Sequence, residues 1–296
     1  MVLLLLKEGK KMQVLVGLNN KEMSDYLNYT NSFIIGLKDF SINYLQLEIE
    51  EIAALIKDYP NINLFVSVNA NIFNKDLKEL EDKLIKLDKL NLKGLFFYDI
   101  ALLSLKDKLN LKVPLVWAKE HMTTNYNTCN YYYNKGCNYV YLSSEITEEE
   151  IKEIREMSKI KLISFFFGYP DVSFSKRYLL SNYFLYHGLN KDYDRYLIKN
   201  NNDEYFIKEN KLGTRITHGK VLNGIRAFSN LKNTVDYALL NEEDIPHDDF
   251  LKILGIFHDV CVNSLDKDFA YQKVNELFPD SDEGFFYKKT IYKVKE

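Results

Sequence analysis

The chain has 296 residues, 46% of them apolar and 27% charged, an ordinary globular composition with length for one large domain or two small ones. Lys and Arg number 39 against 42 Asp and Glu, a formal charge of −3. The overall field therefore cannot hold nucleic acid, and any RNA contact requires a local basic patch. No stretch reaches the ~20 consecutive apolar residues that span a bilayer, which excludes a helical membrane protein.

The apolar run Met1–Leu6 is too short for a signal-peptide core and lacks a basic region before it and a small-residue cleavage site after it. A cytoplasmic protein is expected, with Met1 or Met12 as the natural start, since the first predicted strand begins at Met12. Strands follow at Met12–Leu18, Ser32–Leu37, Ile62–Ala70, Leu92–Asp99, Val113–Ala118, Tyr139–Ser143 and Lys161–Gly168. Amphipathic stretches lie between them: Leu45–Asp58 has helical spacing and ends at Pro60, and Lys75–Asn91 carries its charges on one face. Thr147 precedes Glu150 by three residues, the spacing of a capping box at a helix start. Continuous apolar strands such as Ile163–Phe167 suit a parallel sheet buried on both faces.

After the seventh strand the rhythm breaks. Arg195–Ile198, Tyr205–Lys208 and Thr214–Thr217, separated by Asn/Asp and Lys/Gly turns, predict a small antiparallel β insertion. Val235–Leu240 is then strand eight, with closing helices at Asp249–Ser264 and Phe269–Phe278. The reading is a single α/β domain, a (β/α)8 TIM-type barrel: residues 12–190 give seven strands, 191–226 the insertion, and 227–296 the last strand and closing helices. An open doubly wound sheet is the alternative.

Reactive groups of such a barrel gather where strands end and the following loops begin. Those positions are Asn69, Asp99, Lys119-Glu120-His121 and Ser144-Glu145. The long segment Tyr169–Tyr183 adds Asp171, Lys176, Arg177, Ser181 and Asn182. A rim mixing carboxylates, amides, a Lys and an Arg suits a small anionic organic molecule. Each has a plainer explanation: Glu145 can assist the Thr147 helix, Asp99 can cap the helix from Ile100, and Lys119-Glu120 can be a solvated ion pair. Arg177 is harder to explain away, because it lies in an unusually long loop at the functional face.

The three cysteines, Cys129, Cys137 and Cys261, are odd in number and show no metal-ligand spacing, so a secreted disulfide scaffold is not expected and a buried thiol is the default for each. The group Tyr131-Tyr132-Tyr133 reads as packing. No His-Glu-x-x-His, Gly-x-Ser-x-Gly, phosphate-loop or Gly-x-Gly-x-x-Gly motif is present, so nothing in the residues themselves supports peptide hydrolysis. Residues 191–226 hold eight Lys/Arg against five acids, a weak RNA signal, whereas Glu242–Asp249 carries five acids and no Lys or Arg.

The segment Ile163–Asp171, continuing through Lys176–Ser181, resembles the signature of the U-32, collagenase-like peptidase family at Phe165, Gly168, Leu180 and Ser181. Asp171 and Tyr178 stand where that signature has cysteines, and Phe167 stands where it has a His. The likeness extends through Val66–Asn71, Gly94–Leu103 and Leu142–Ile154. Thr124–Tyr131, Ser175-Lys176-Arg177 with Asn182-Tyr183-Phe184, and the tail Gly284–Thr290 are similar to a short branch of the family in low-GC Gram-positive bacteria. That branch is associated with prephenate-dependent 5-hydroxylation of the tRNA wobble uridine. The resemblance implies tRNA as a partner, prephenate as co-substrate and a cluster-bearing U-32 paralogue beside this chain, which itself holds no iron–sulfur cluster and no metal. Arg177 and Lys119 would pair with the carboxylates of the co-substrate, and Asn69, Glu120, Glu145, Ser181 and Asn182 complete the ligand-binding candidates. The alternatives are a collagenase-like peptidase with Cys129 as nucleophile, and a non-catalytic scaffold subunit.

Overall fold

A computed structural model of the protein describes residues 12–200 and 203–288. The apolar run at 1–6 and the tail positions 289 and 290 lie outside the described residues. Strands β1 (Gln13–Gly17), β2 (Ser32–Leu37) and the short β3 (Gln46–Leu47) lead into helix α1 (Ile49–Asp58). β4 (Asn63–Val68) precedes α2 (Leu77–Leu87), β5 (Gly94–Phe97) precedes α3 (Ala101–Leu109), and β6 (Leu115–Trp117) precedes α4 (Tyr126–Asn134). β7 (Tyr139–Tyr141) and α5 (Glu148–Met157) bring the chain to β8 (Lys161–Gly168).

The chain then leaves the barrel for β9 (Asp171–Ser175), α6 (Leu179–Tyr186), β10 (Arg195–Asn200), β11 (Asp203–Asn210) and β12 (Gly213–His218). It returns through β13 (Leu222–Asn223), α7 (Ile225–Asn230) and β14 (Tyr237–Asn241), and ends with α8 (His247–Cys261) and α9 (Lys267–Leu277).

The parallel neighbours run β1-β14-β8-β7-β6-β5-β4-β2, and β1 also pairs with β2, so eight strands form a closed TIM-like barrel rather than an open sheet. The β1 register sets Val14 against Ala238 on one side, and Val16 against Phe33 on the other. These strands are apolar on both faces because one face meets the lumen and the other the helices; every residue of β2 is buried. Aromatic rings fill the lumen. The Phe65 ring lies 5.3 Å from Tyr237 and 5.6 Å from both Tyr139 and Phe96, so the interior is a packed core and no pore. Outside, α2 buries Leu80, Leu84 and Leu87 at helical spacing, each contributing about 1.5–3 kcal/mol relative to exposure. Thr147 caps α5 as the spacing predicts: its hydroxyl accepts from the Glu150 N–H at 3.3 Å, and the Glu150 carboxylate accepts the Thr147 N–H at 2.7 Å.

The insertion is larger than its sequence suggests. Its antiparallel sheet has four strands in the order β10-β11-β12-β9. The segment Tyr169–Tyr183, which reads as a loop, supplies β9 and begins α6. Gly168 makes the exit. Its φ of +122° lies in the left-handed half of the map, and a Cβ there would stand 2.8 Å from the Asn241 carbonyl oxygen.

Candidate functional site at the barrel mouth

Ion pairs hold the insertion across the C-terminal end of the barrel. Arg215 on β12 is buried and bonds Asp171, just past β8, and Glu243, just past β14. Lys208 on β11 reaches Glu243 at 3.4 Å and Asp244 at 2.5 Å. On the opposite rim Lys211 pairs with Asp39, and Lys176 lies 3.6 Å from Asp76. Burial alone would raise the Glu243 carboxyl, but the charges of Arg215 and Lys208 hold it below the usual carboxylate range. The sheet is thus fastened over the mouth by charges drawn from the segments after β2, β4, β8 and β14.

The predicted site residues divide into three groups. Asn69 is buried and braces the loop after β2: its Oδ1 accepts from the Ser41 hydroxyl and the Ile42 N–H at 3.1 and 2.9 Å, and its Nδ2 donates to Asn43 at 2.9 Å. Lys119 lines a small cavity under β9 with Tyr98, His121, Asp171 and Ser173, its ammonium 4.9 Å from the centre of the Tyr98 ring. The side chain of Glu120 lies outside the described atoms. Asp99 accepts from the Ala101 N–H at 2.9 Å, capping α3 as its position suggests.

Arg177, Ser181 and Asn182 belong to the insertion. Ser181 donates its hydroxyl to Glu209, which also accepts the N–H groups of Leu180 and Ser181 at the start of α6. Burial pushes the Glu209 carboxyl up, but the bonds from Ser181, Lys191 and Thr214 outweigh it and leave the group below its ordinary value. Arg177 and Asn182 are exposed, and the Arg177 carbonyl accepts from the Thr214 hydroxyl at 2.8 Å. The geometry therefore does not gather Arg177, Lys119 and Asn69 into one pocket.

Glu145 lies elsewhere on the rim, in a cleft of about 220 Å³ beside the insertion. Several segments build it, among them the start of β11 with Asp203 and Glu204. The loop after β7 gives Ser144 and Glu145, the end of the insertion gives His218 and Lys220, and the C-terminal segment gives Asp282, Phe285 and Lys288. That last segment is pinned in place. Asn223 donates its N–H to the Asp282 carbonyl at 2.7 Å, the Phe286 carbonyl accepts from the Glu148 N–H at 3.1 Å, and Phe286 stacks on Phe166 at 5.4 Å. Within the cleft the Gly284 N–H fixes Asp282 Oδ1 at 2.8 Å. Burial lowers the His218 pKa despite the nearby Asp282 and Glu145 charges, which favours the neutral ring.

A second cleft of about 190 Å³ opens on the far side of the insertion, lined by Asn19, Tyr44, Gln46, Asn210 and the Arg215–Glu243 pair. Next to it, buried Glu242 accepts from the Tyr26 hydroxyl at 2.7 Å and binds His247 Nδ1 at 2.7 Å, while His247 Nε2 lies 3.2 Å from Asp25. The Glu242 hydrogen bond, opposed by partial burial and helped by Asp25, raises the His247 pKa. Glu22, Asp25 and His247 bring ligand atoms within 4.8 Å of one another, but both acids are exposed and His247 is already engaged.

Sequence reasoning overlooked His218, Asp282, Arg215 and the Glu242–Glu243 pair. The rule that selected the ends of the other strands would have found Glu242 and Glu243, which follow β14 directly. Nothing local marks His218 or Asp282, because a distant segment completes their cleft.

Thiol chemistry finds no support here. Burial pushes the Cys129 and Cys137 thiols up to about 12, far from the thiolate that a nucleophile or cluster ligand requires. Asp171 and Tyr178 are occupied with Arg215 and with the Lys211 carbonyl, and a carboxylate and a phenol are not the thiolates that hold an iron–sulfur cluster. Among the described residues no helix is long and apolar enough to cross a membrane.

Comparison with known proteins gives consistent relatives. The sequence profile described as peptidase family U32 matches residues 23–237. The chain is 27% identical to tRNA hydroxylation protein P2 of Bacillus subtilis over 261 residues, covering 77% of this chain and 81% of that one. It is 26% identical to tRNA hydroxylation protein P1 of the same organism over 148 residues, covering 50% of this chain and 35% of the other. The solved structure of the U32 peptidase Mk0906 aligns with a TM-score of 0.50 at 12% identity, covering 80% of this chain and 95% of that one, a likeness of fold.

Proposed function

The chain belongs to peptidase family U32, and on that footing we propose that it acts in tRNA modification, in the prephenate-dependent 5-hydroxylation of the wobble uridine, beside a cluster-bearing U32 paralogue. The observation that carries this reading is the match to tRNA hydroxylation protein P2, which spans 81% of that protein. A likeness of that extent takes in most of the barrel and its insertion together.

In this reading the chain contributes binding surfaces rather than redox chemistry. The cluster would reside in the partner, because the only three cysteines of this chain include two buried, protonated thiols. At the mouth Lys119 offers an ammonium to a carboxylate of the co-substrate. Arg177, exposed on the insertion, is the cation available to an approaching RNA phosphate or a second carboxylate. The peptidase reading lacks a nucleophile–base pair with a reactive thiol.

The test is deletion of the gene followed by mass spectrometry of total tRNA nucleosides. Loss of 5-hydroxyuridine and its derivatives, restored by the wild type and by Cys129→Ala, is the expected result. An unchanged nucleoside profile would overturn the proposal.

A further inference from the structure

The 220 Å³ cleft beside the insertion has a lining that selects its occupant. Of its four carboxylates Glu204 is paired with Lys199, which leaves Glu145, Asp203 and Asp282 facing two lysines and a histidine whose pKa burial lowers. A dicarboxylate or a phosphate inside would meet net repulsion, so the cleft suits a neutral ligand that donates hydrogen bonds. Its volume is below the ~300–1,000 Å³ of sites for drug-sized molecules, and matches one ring system. Phe285, Leu222 and Pro170 give it apolar walls. Lys220 and Lys288 are exposed at its lip, where a chain of phosphates could pass without entering.

Resting on the tRNA reading above, we infer that this cleft receives one extruded uracil of an RNA loop. Glu145 or Asp282 accepts from the single ring imide N–H, Phe285 stacks on the base, and Lys220 and Lys288 meet the flanking phosphates. Asp282 is held at the cleft, since the Gly284 N–H donates to its Oδ1 at 2.8 Å. A carboxylate that accepts from the uracil N3–H faces a lone pair at the same atom of cytosine, so the site discriminates between the two pyrimidines by charge. Extrusion of a loop base is inexpensive because it is already unpaired, and aromatic side chains are the usual platform for such bases.

The test is fluorescence anisotropy of the full chain with two anticodon stem-loop RNAs that differ only in uridine or cytidine at the wobble position. The uridine loop is expected to bind more tightly. Glu145→Gln, an exposed substitution that leaves packing untouched, should narrow the preference, and Asp282→Asn should act the same way if it folds. Phe285→Ala should weaken the uridine loop about tenfold, the scale of one lost base stack. Reversing charge at Lys288 should weaken both loops alike. Undetectable binding of the uridine loop, or equal binding of both, overturns the inference. The two readings fail separately: an unchanged nucleoside profile on deletion sinks the tRNA reading, whereas if deletion abolishes hydroxylation and Glu145→Gln and Phe285→Ala both restore it fully, the cleft assignment falls while the pathway role stands.

Discussion

The guanidinium of Arg215 and the carboxylate of Glu243 lie 2.5 Å apart, the first buried and the second half-buried, one on the inserted sheet and the other just past the last barrel strand. With Asp171 as second partner, the pair makes the insertion and the barrel mouth one electrostatic unit. A cation removed from such a site leaves two half-buried carboxylates, Asp171 without this partner and Glu243 with Lys208 alone. Arg215→Met should therefore cost about 3–5 kcal/mol in urea denaturation. Adding Glu243→Gln to the same chain should recover part of that loss, and recovery of none would show that the pairing does not fasten the sheet.

Glu209 performs a comparable service for α6 by accepting the first N–H groups of that helix. Glu209→Gln should destabilise the chain by about 2 kcal/mol near neutral pH, the scale of a hydrogen bond to a charged group. The Glu209 pKa is lower in the folded chain than in the unfolded one. Its contribution is therefore complete above the unfolded value of about 4.3 and is lost as pH falls through the folded value. Urea titrations should show wild type and variant converging in acid.

His247 behaves in the opposite sense. Its pKa is raised by Glu242 and Asp25, so the stabilisation is complete below the unfolded value of about 6.5 and fades as pH rises through the folded one. Unfolding free energies measured from pH 6 to pH 9 should fall in the wild type by more than in His247→Gln. Parallel curves would sink the assignment.

The buried thiols lead to a chemical prediction. Native protein at pH 8 should expose Cys261 to a thiol reagent well before Cys129 or Cys137, which should react fully only after denaturation. Rapid labelling of Cys129 in the folded state, followed by mass mapping, would reopen the peptidase reading.

The barrel was legible because its strands are continuous apolar runs. Ile163–Phe167 reads as a strand buried on both faces, and all of β8 beyond Lys161 is buried. The capping box at Thr147 was equally local. The missing parts depend on distance. Asp171–Ser175 carries Asp and Ser, poor strand formers, and becomes β9 only because β12 supplies a pairing edge about 40 residues later. Leu179–Tyr186 has apolar side chains almost all round, so no period marks it as a helix. Arg215 looks like one more surface cation in a mildly basic stretch, since its partners lie 44 residues before it and 28 after it. Among the candidate positions, the end-of-strand rule selected Glu145, which lines the cleft beside the insertion. The same rule placed Asn69 among ligand-binding groups, although its amide holds the neighbouring loop.

The pairing of β1 with β14 also sets a timetable for synthesis. Val14 meets Ala238 in the finished sheet, so the first strand leaves the ribosome ~10–45 s before its neighbour exists, at about 5–20 residues per second. Through that interval β1 presents an unpaired parallel edge made of apolar residues, and β8 presents a second one once residues 161–168 have been made. The nascent chain therefore depends on a chaperone, or on its own helices, to shield two sticky edges until residue 241 has emerged, and a premature stop before β14 should yield insoluble product rather than a smaller folded domain.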